Sequence, residues 1–348
     1  MKKKPCPKIL FILKQRNVYD DKTLQGYSVS SGLFNSATFV SNMLKESGIE
    51  CKLVEVVDSN QIDKEVHTYK PTLVIIEAIW VPPTKFNELC KLHSNVKWII
   101  RVHSEVPFLS NEGMAFNWIK DYLKYANIFV SFNSKRTNKE FQQLYPVYKN
   151  KIIYLPNYYN LNINQNKWKG CSKDSIHIGC FGAIRPMKNQ TLQAIAAIEF
   201  ANQKNKTLYF HINVARIENK GENVIKNLRA LFEGSKHRLV EHLWLSHSEF
   251  ITLVQKMDIC MQVSMSESFN IVSADAVNNE VPLVASTEVE YVFPLFKANP
   301  TNSDSIISKL KLAWWGKSFY LHNLNKIGLF LFSLKSKKIW INWVLKNF

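Results

Sequence analysis

The sequence predicts an α/β protein made of two doubly wound domains, each a parallel sheet with helices on both faces. Three observations carry that prediction. Short apolar runs alternate with segments of helical spacing, the pattern of parallel strands joined by crossover helices. A polar stretch over 157–175, NYYNLNINQNKWKGCSKDS, interrupts the alternation, which then restarts. The 348 residues also exceed what one ordinary core supports.

In order, KILFIL reads as a first strand. A helix follows with Leu33, Ala37, Val40 and Leu44 on one face, and Gly48 ends it. CKLVEVV, PTLVIIEAI and VKWIIRVHS read as strands, MAFNWIKDYLKYA as a helix, and NIFVSF and KIIYLPN as the closing strands. Beyond the polar stretch come the strand IHIGCFGAI, a helix from about Gln190 to Asn202, LYFHINVA, the helix NVIKNLRALFEG and RLVEHLWL. The helix SEFITLVQKM, ICMQVSM and VPLVAS complete the second series. The expected domains are 1–160 and 161–315, with 316–348 a helical segment crossing back to the first. Ligands of such sheets bind beyond the carboxyl ends of the strands, so a cleft between the domains is the expected site.

Hydrophobic residues at 46% and charged residues at 21% exclude a disordered chain. The six cysteines, Cys6, Cys51, Cys90, Cys171, Cys180 and Cys260, include no C-x-x-C pair, which favours free thiols in a reducing compartment. The apolar run Ile9 to Leu13 is followed by Lys14 and Arg16 and suits a strand better than a signal peptide. No run reaches the roughly 18 apolar residues of a membrane span; Ile327 to Leu334, IGLFLFSL, is far shorter. A cytoplasmic protein is expected.

The net charge of +17 is uneven. Residues 1–160 hold 22 Lys and Arg against 14 Asp and Glu, and residues 161–300 hold 15 against 13. The last 48 residues hold eight lysines against the single Asp304. A basic first domain and tail suit a polyanion or an anionic membrane; lysines that merely solubilise the surface are the plainer alternative.

The segment MQVSMSESFNIVSADAVNNEVPLVAS reads as strand, loop, helix, strand, with Glu267 in the loop, a helix over Asn270 to Asn279 and Pro282 starting the next strand. The free N–H groups at such a helix start make an anion site. Glu267 and Asp275, eight residues apart, would reach different parts of one ligand. A nucleotide sugar fits, its diphosphate at the helix start and its hydroxyls on the acids. A solvated helix acid is the plain alternative for Asp275, and a surface lysine for Lys188.

This segment resembles the E-x7-E motif of retaining, nucleotide-sugar-dependent glycosyltransferases of the GT-B fold. Glu267, Phe269, Asp275 and Pro282 fall on the motif's positions, while Asn270 and Glu280 stand where glycine is usual and Asp275 replaces a second Glu. HIGCFGAIRPMKNQTLQAI is similar to the family segment in which an Arg and a Lys follow a glycine and bind the donor diphosphate. Gly182 and Lys188 match; Ala183 holds the arginine position, and Arg185 lies two residues on. RVHSEVPF resembles the family's histidine segment and makes His103 its histidine, with a structural hydrogen-bonding histidine as the rival reading. In IIYLPNYYN, Tyr158 replaces a usual glycine, and SSGLFNS makes Gly32 the close-approach glycine unless it only ends a turn. GAIRPMKNQ and ESFNIV also resemble glycosyltransferase-like proteins of tailed phages.

The resemblance implies glycosyl transfer with retention, by a hexosyl- or pentosyltransferase using a UDP-sugar as co-substrate and no bound cofactor or metal. His103, Glu267, Lys188 and Arg185 become the candidate catalytic residues. Gly32, Gly182, Arg185, Lys188, Glu267, Ser268, Phe269, Asn270, Ile271 and Asp275 become the candidate donor contacts. The first acceptor it implies is a hydroxymethylated pyrimidine in phage-type DNA, with Tyr27, Phe108 and Phe116 as candidate supports for an unstacked base. A lipid or cell-surface glycan at an anionic membrane is the alternative, because Trp314, Trp315, Trp340 and Trp343 lie among lysines. Those tryptophans equally suit buried crossover helices. A degenerate domain that binds nucleotide or nucleic acid without transfer is a third reading. HSE at 103–105 lacks the P-C-x-x-C of zinc deaminases, no phosphate loop of the G-x-x-x-x-G-K type is present, and Asp20 and Asp21 read as solvated loop charges.

Overall fold

The computed structural model describes residues 7–15, 17–19, 26–28, 32–161, 174–243 and 245–348. Cys6, Asp20, Asp21 and Cys171 lie outside the described residues, as does 162–173 of the polar stretch, and Tyr27 is described by its backbone alone. The chain divides into two compact units, Met1–Asn160 with Ser333–Phe348, and Leu161–Phe332.

The strands of the first unit are β1 (Lys8–Lys14), the antiparallel pair β2 (Asn17–Tyr19) and β3 (Gly26–Ser28), β4 (Glu50–Val56), β5 (Leu73–Glu77), β6 (Lys97–Val102), β7 (Ile128–Phe132) and β8 (Ile152–Tyr154). Its helices are α1 (Gly32–Glu46), α2 (Gln61–Tyr69), α3 (Phe86–Leu92), α4 (Val106–Leu109), α5 (Ala115–Lys124) and α6 (Lys135–Leu144). The second unit holds β9 (Ser175–Gly179), β10 (Thr207–Asn213), β11 (Arg238–His242), β12 (Ile259–Gln262), β13 (Leu283–Ser286) and β14 (Lys297–Ala298). Its helices are α7 (Gln190–Gln203), α8 (Gly221–Phe232), α9 (His247–Val254), α10 (Ile271–Asn278) and α11 (Ser303–Gly316). Helix α12 (Asn323–Asn347) begins in the second unit and ends in the first.

Each unit has one six-stranded sheet, in the orders β4-β1-β5-β6-β7-β8 and β11-β10-β9-β12-β13-β14, with every pairing within them parallel. The strand order reverses direction between β1 and β5 in one sheet and between β9 and β12 in the other. Those are the switch points at which doubly wound sheets bind ligands. Strands covered on both faces need apolar side chains throughout, and LVIIE and ICMQ are buried at every position. Their few polar residues are therefore informative.

In the first unit one sheet face packs Trp98, Phe86 and Tyr122 edge to face, and the other packs Phe11, Val40 and Leu44 with Trp340 and Val344 of α12. Trp340 is fully buried and its indole N–H donates to the Pro156 carbonyl at 2.7 Å. Trp343 packs edge to face on Phe129, Trp314 stands against Phe200, and Trp315 is exposed. The four tryptophans therefore divide between core and surface. The tail also divides: Lys309, Lys311, Lys317 and Lys326 belong to the second unit, so the tail's charge does not fall wholly on the first.

Candidate functional site

The second-unit switch point is formed by the loops that follow β9 and β12. Both are braced. The Met265 N–H donates to the Met187 carbonyl at 2.9 Å, and Gln262 donates to the Phe181 carbonyl at 2.8 Å. Gln193 accepts the Val263 N–H at 2.8 Å and donates to the Lys188 carbonyl at 2.8 Å. Asn189 takes the left-handed conformation needed to turn into α7, and its amide donates to Val263 and Pro300 carbonyls at 3.1 and 2.7 Å. This bracing brings Lys188 and Glu267 into an ion pair, with their side chains 13% and 8% exposed.

The helix that follows begins at Ile271, with Asn270 as its cap rather than its first turn. Asn270 sits at φ 61°, where a Cβ is unfavourable and Asn is the best tolerated residue after glycine. Its side chain accepts the Ser273 N–H at 2.9 Å and donates to Gln262 at 2.9 Å. Asparagine thus meets the conformational demand of a glycine position and adds a helix cap. The N–H groups of Ile271 and Val272 have no intrahelical carbonyl to reach. Ser264 and Ser266, in the loop just before, have buried hydroxyls without a hydrogen-bond partner. An oxyanion at this place would find a lysine and a helix start.

Other candidates stand differently. Arg185 bonds Glu218 at 3.2 Å, and Glu218 also holds Arg216 at 2.6 Å. Gly182 lies at φ 112°, a conformation closed to side-chain-bearing residues, and its N–H donates to Asn213 at 3.1 Å. The Phe269 ring packs on Tyr291 and Phe332, so it anchors the loop from inside. Ser268 is half-buried beside Glu267. Asp275 is buried and accepts from His247 at 3.1 Å, and that bond raises the His247 imidazole above its ordinary value. Glu280, the second residue standing where the resemblance expects glycine, also has φ 60° and pairs with Lys326 at 2.8 Å.

The first-unit switch point holds His103. Glu77 ends β5 directly opposite Arg101 of β6, and both are completely buried. Arg101 donates to the two Glu77 oxygens at 3.1 and 3.2 Å, to the Leu155 and Pro156 carbonyls, and to Asn157 at 2.6 Å. The ring Nε2 of His103 bonds the same carboxylate. Burial alone would raise the Glu77 carboxyl, but the Arg101 and His103 charges outweigh it and hold the group below its ordinary range. Burial, and then the Arg101 charge, push His103 down against the opposing pull of Glu77. His103 lines a cavity of about 110 Å³ with Lys14, Leu33, Ala78, Trp80 and Glu112. Ala78, at φ 70°, is strained at its wall. Gly32 is the first residue of α1, next to the cavity-lining Leu33. Phe108 and Phe116 also belong to this unit, Phe116 packed against Phe141.

Sequence reasoning missed Glu77, Arg101, Gln193 and His247. Glu77 and Arg101 had a readable signal: each is the lone charge inside a continuous apolar run, VIIEAI and WIIRVH, and such charges must find partners. Gln193 and His247 offered none beyond ordinary helix composition.

No family model matches the sequence, and neither does any curated protein. Solved structures do match the fold. The chain is similar to HepE of Anabaena, in a crystal structure in complex with UDP, at 14% identity over 98% of this chain and 100% of that one, with a TM-score of 0.65. It is similar to a sucrose-phosphate synthase of Thermosynechococcus elongatus at 13% identity, 98% of each chain and a TM-score of 0.67. A UDP-forming α,α-trehalose-phosphate synthase of Burkholderia vietnamiensis matches at 9% identity over 97% of each chain, with a TM-score of 0.66. At these identities the likeness is one of fold, and it gives the chain the two-domain GT-B architecture.

Proposed function

We propose that this chain is a glycosyltransferase that takes its sugar from a UDP-sugar and transfers it, with retention, to a hydroxyl acceptor. The observation that carries the reading is the Lys188–Glu267 pair beside the α10 start at a switch point, in a chain with the fold of proteins crystallised with UDP. In the transfer, the bond between the anomeric carbon and the diphosphate oxygen breaks, its electron pair leaving with UDP, while the acceptor oxygen bonds the anomeric carbon on the same face and passes its proton to the departing phosphate oxygen. Lys188 and the Ile271 and Val272 N–H groups stabilise that charge without reorganising, because the hydrogen bonds from Gln193, Asn189 and Met265 fix the loops beforehand. Glu267, released from Lys188 when the diphosphate takes the lysine, is free to accept from sugar hydroxyls. The buried Asp275 meets nucleoside hydroxyls together with its partner His247. His103, oriented by Glu77, is the catalytic residue we propose in the first unit, where it lines that unit's own cavity.

The test is release of free UDP from a panel of UDP-sugars, followed by transfer of labelled sugar. The acceptor we propose first is hydroxymethylated pyrimidine in DNA, which rests on the resemblance of the fragments GAIRPMKNQ and ESFNIV to phage glycosyltransferase-like proteins and on the basic charge. Label that enters a lipid extract and not hydroxymethylated DNA would replace that acceptor. Absence of UDP release with every donor would reject the enzyme reading itself.

A further inference from the structure

Helix α12 is apolar on two faces, and the fold uses only one. Leu329, Trp340 and Val344 are fully buried, and Trp340 is tied to the Pro156 carbonyl, so the helix is anchored without help from its outer side. Yet Ile327, Phe330, Leu331 and Leu334 are each at least half exposed. Their spacing of three, four and seven residues places them in one stripe. Lys338 continues the stripe, with Lys335 and Lys337 flanking it. The aromatic residues Trp315, Phe319 and Tyr320, which precede the helix, are exposed as well. No Asp or Glu occurs from residue 305 to the last residue.

We infer that this face of α12 docks the protein onto an anionic lipid surface. An exposed apolar stripe bordered by lysines, on a helix that carries no carboxylate of its own, is the composition of a helix lying in the headgroup region. Exposed Trp and Tyr are suited to the same depth. None of the described helices is long and apolar enough to cross a membrane, so the helix lies on the surface rather than spanning it. A second copy of the chain is a poorer occupant, because pairing two such faces would set the lysines of one helix against those of the other. None of the residues assigned to UDP-sugar binding belongs to the stripe, so this inference stands or falls separately from that reading.

The experiment is co-sedimentation of the intact chain with phosphatidylcholine vesicles and with mixed phosphatidylcholine–phosphatidylglycerol vesicles. The wild-type chain is expected to pellet with the mixed vesicles only, and to be released by added salt. Phe330→Glu with Leu331→Glu should abolish pelleting, and Lys335→Gln with Lys338→Gln should weaken it by roughly tenfold or more. Thermal unfolding of both variants should match the wild type, since the altered side chains are exposed. The inference is overturned if the wild type stays in solution with both vesicle types or binds both equally. It is also overturned if sedimentation velocity shows a dimer, or a complex with an acidic protein, that the Phe330 and Leu331 changes dissolve.

Discussion

Met265 and Met187 share one backbone hydrogen bond, 2.9 Å from N–H to carbonyl, and it fastens the loop carrying Glu267 to the loop carrying Lys188. The loops are neighbours because β12 pairs with β9, the first strand of that sheet in sequence. A lysine and a glutamate 79 residues apart are thus delivered to one place by the crossover alone.

Lys188→Ala removes the cation assigned to the leaving diphosphate. Turnover of a UDP-sugar should fall by roughly 10²–10³-fold, the scale of losing one preorganised electrostatic contact. The buried Glu267 would also lose its partner, which can lower stability on its own. Lys188→Met combined with Glu267→Gln should recover the unfolding midpoint and leave turnover low. If turnover returned with stability, the lysine's role would be structural.

Asn270→Gly should keep stability within about 1 kcal/mol of the wild type, since the glycine relieves the left-handed backbone as the cap is lost. Asn270→Ala loses the cap and retains the strain, and should cost about 2 kcal/mol. Denaturant unfolding of the two variants checks the order, which reverses if backbone conformation is not what selects asparagine.

Glu77→Ala leaves the Arg101 guanidinium buried without its counter-charge, a change expected to cost about 3–5 kcal/mol. The Glu77 carboxyl is held below its ordinary value, so its contribution is whole above the ordinary carboxylate range and disappears as pH falls through the depressed value. His103→Ala should leave the fold intact and lower turnover, because Arg101 still neutralises Glu77. Comparable unfolding of Glu77→Ala and His103→Ala would contradict that division.

Three imidazoles, His177, His211 and His242, form a hydrogen-bonded row across β9, β10 and β11, at 3.0 and 2.8 Å. Burial pushes all three down, His211 to about 3. Each is favoured neutral in the folded chain, so the stability they give is whole above about pH 6.5, the ordinary imidazole value, and drains away as the medium becomes more acidic. For the buried His211 the loss should approach about 1.4 kcal/mol per pH unit over that window. Denaturant midpoints at neutral and mildly acid pH should show a shallower dependence in His211→Gln than in the wild type.

Much of the fold is written in the apolar runs. KILFIL, LVIIEAI and ICMQ become central strands because a strand covered on both sides has little room for polar side chains. Lys188 and Glu267 were legible from the motif they resemble, and so was the helix start. What the sequence hid was pairing. Nothing local says that His247 meets Asp275, 28 residues away, or that Arg185 turns to Glu218. The left-handed conformation of Asn270 and Glu280 was equally hidden; it is the backbone demand that the glycines expected from the resemblance would have met.

In the proposed function, the second unit holds a uridine diphosphate on Lys188 and the α10 start. Calorimetric titration of the intact chain with UDP is the decisive measurement. The predicted result is saturable binding at one site, weakened at least tenfold by Lys188→Ala and unaffected by His211→Gln. Absence of saturable heat with UDP in large excess, or equal affinity in the Lys188→Ala variant, would contradict it.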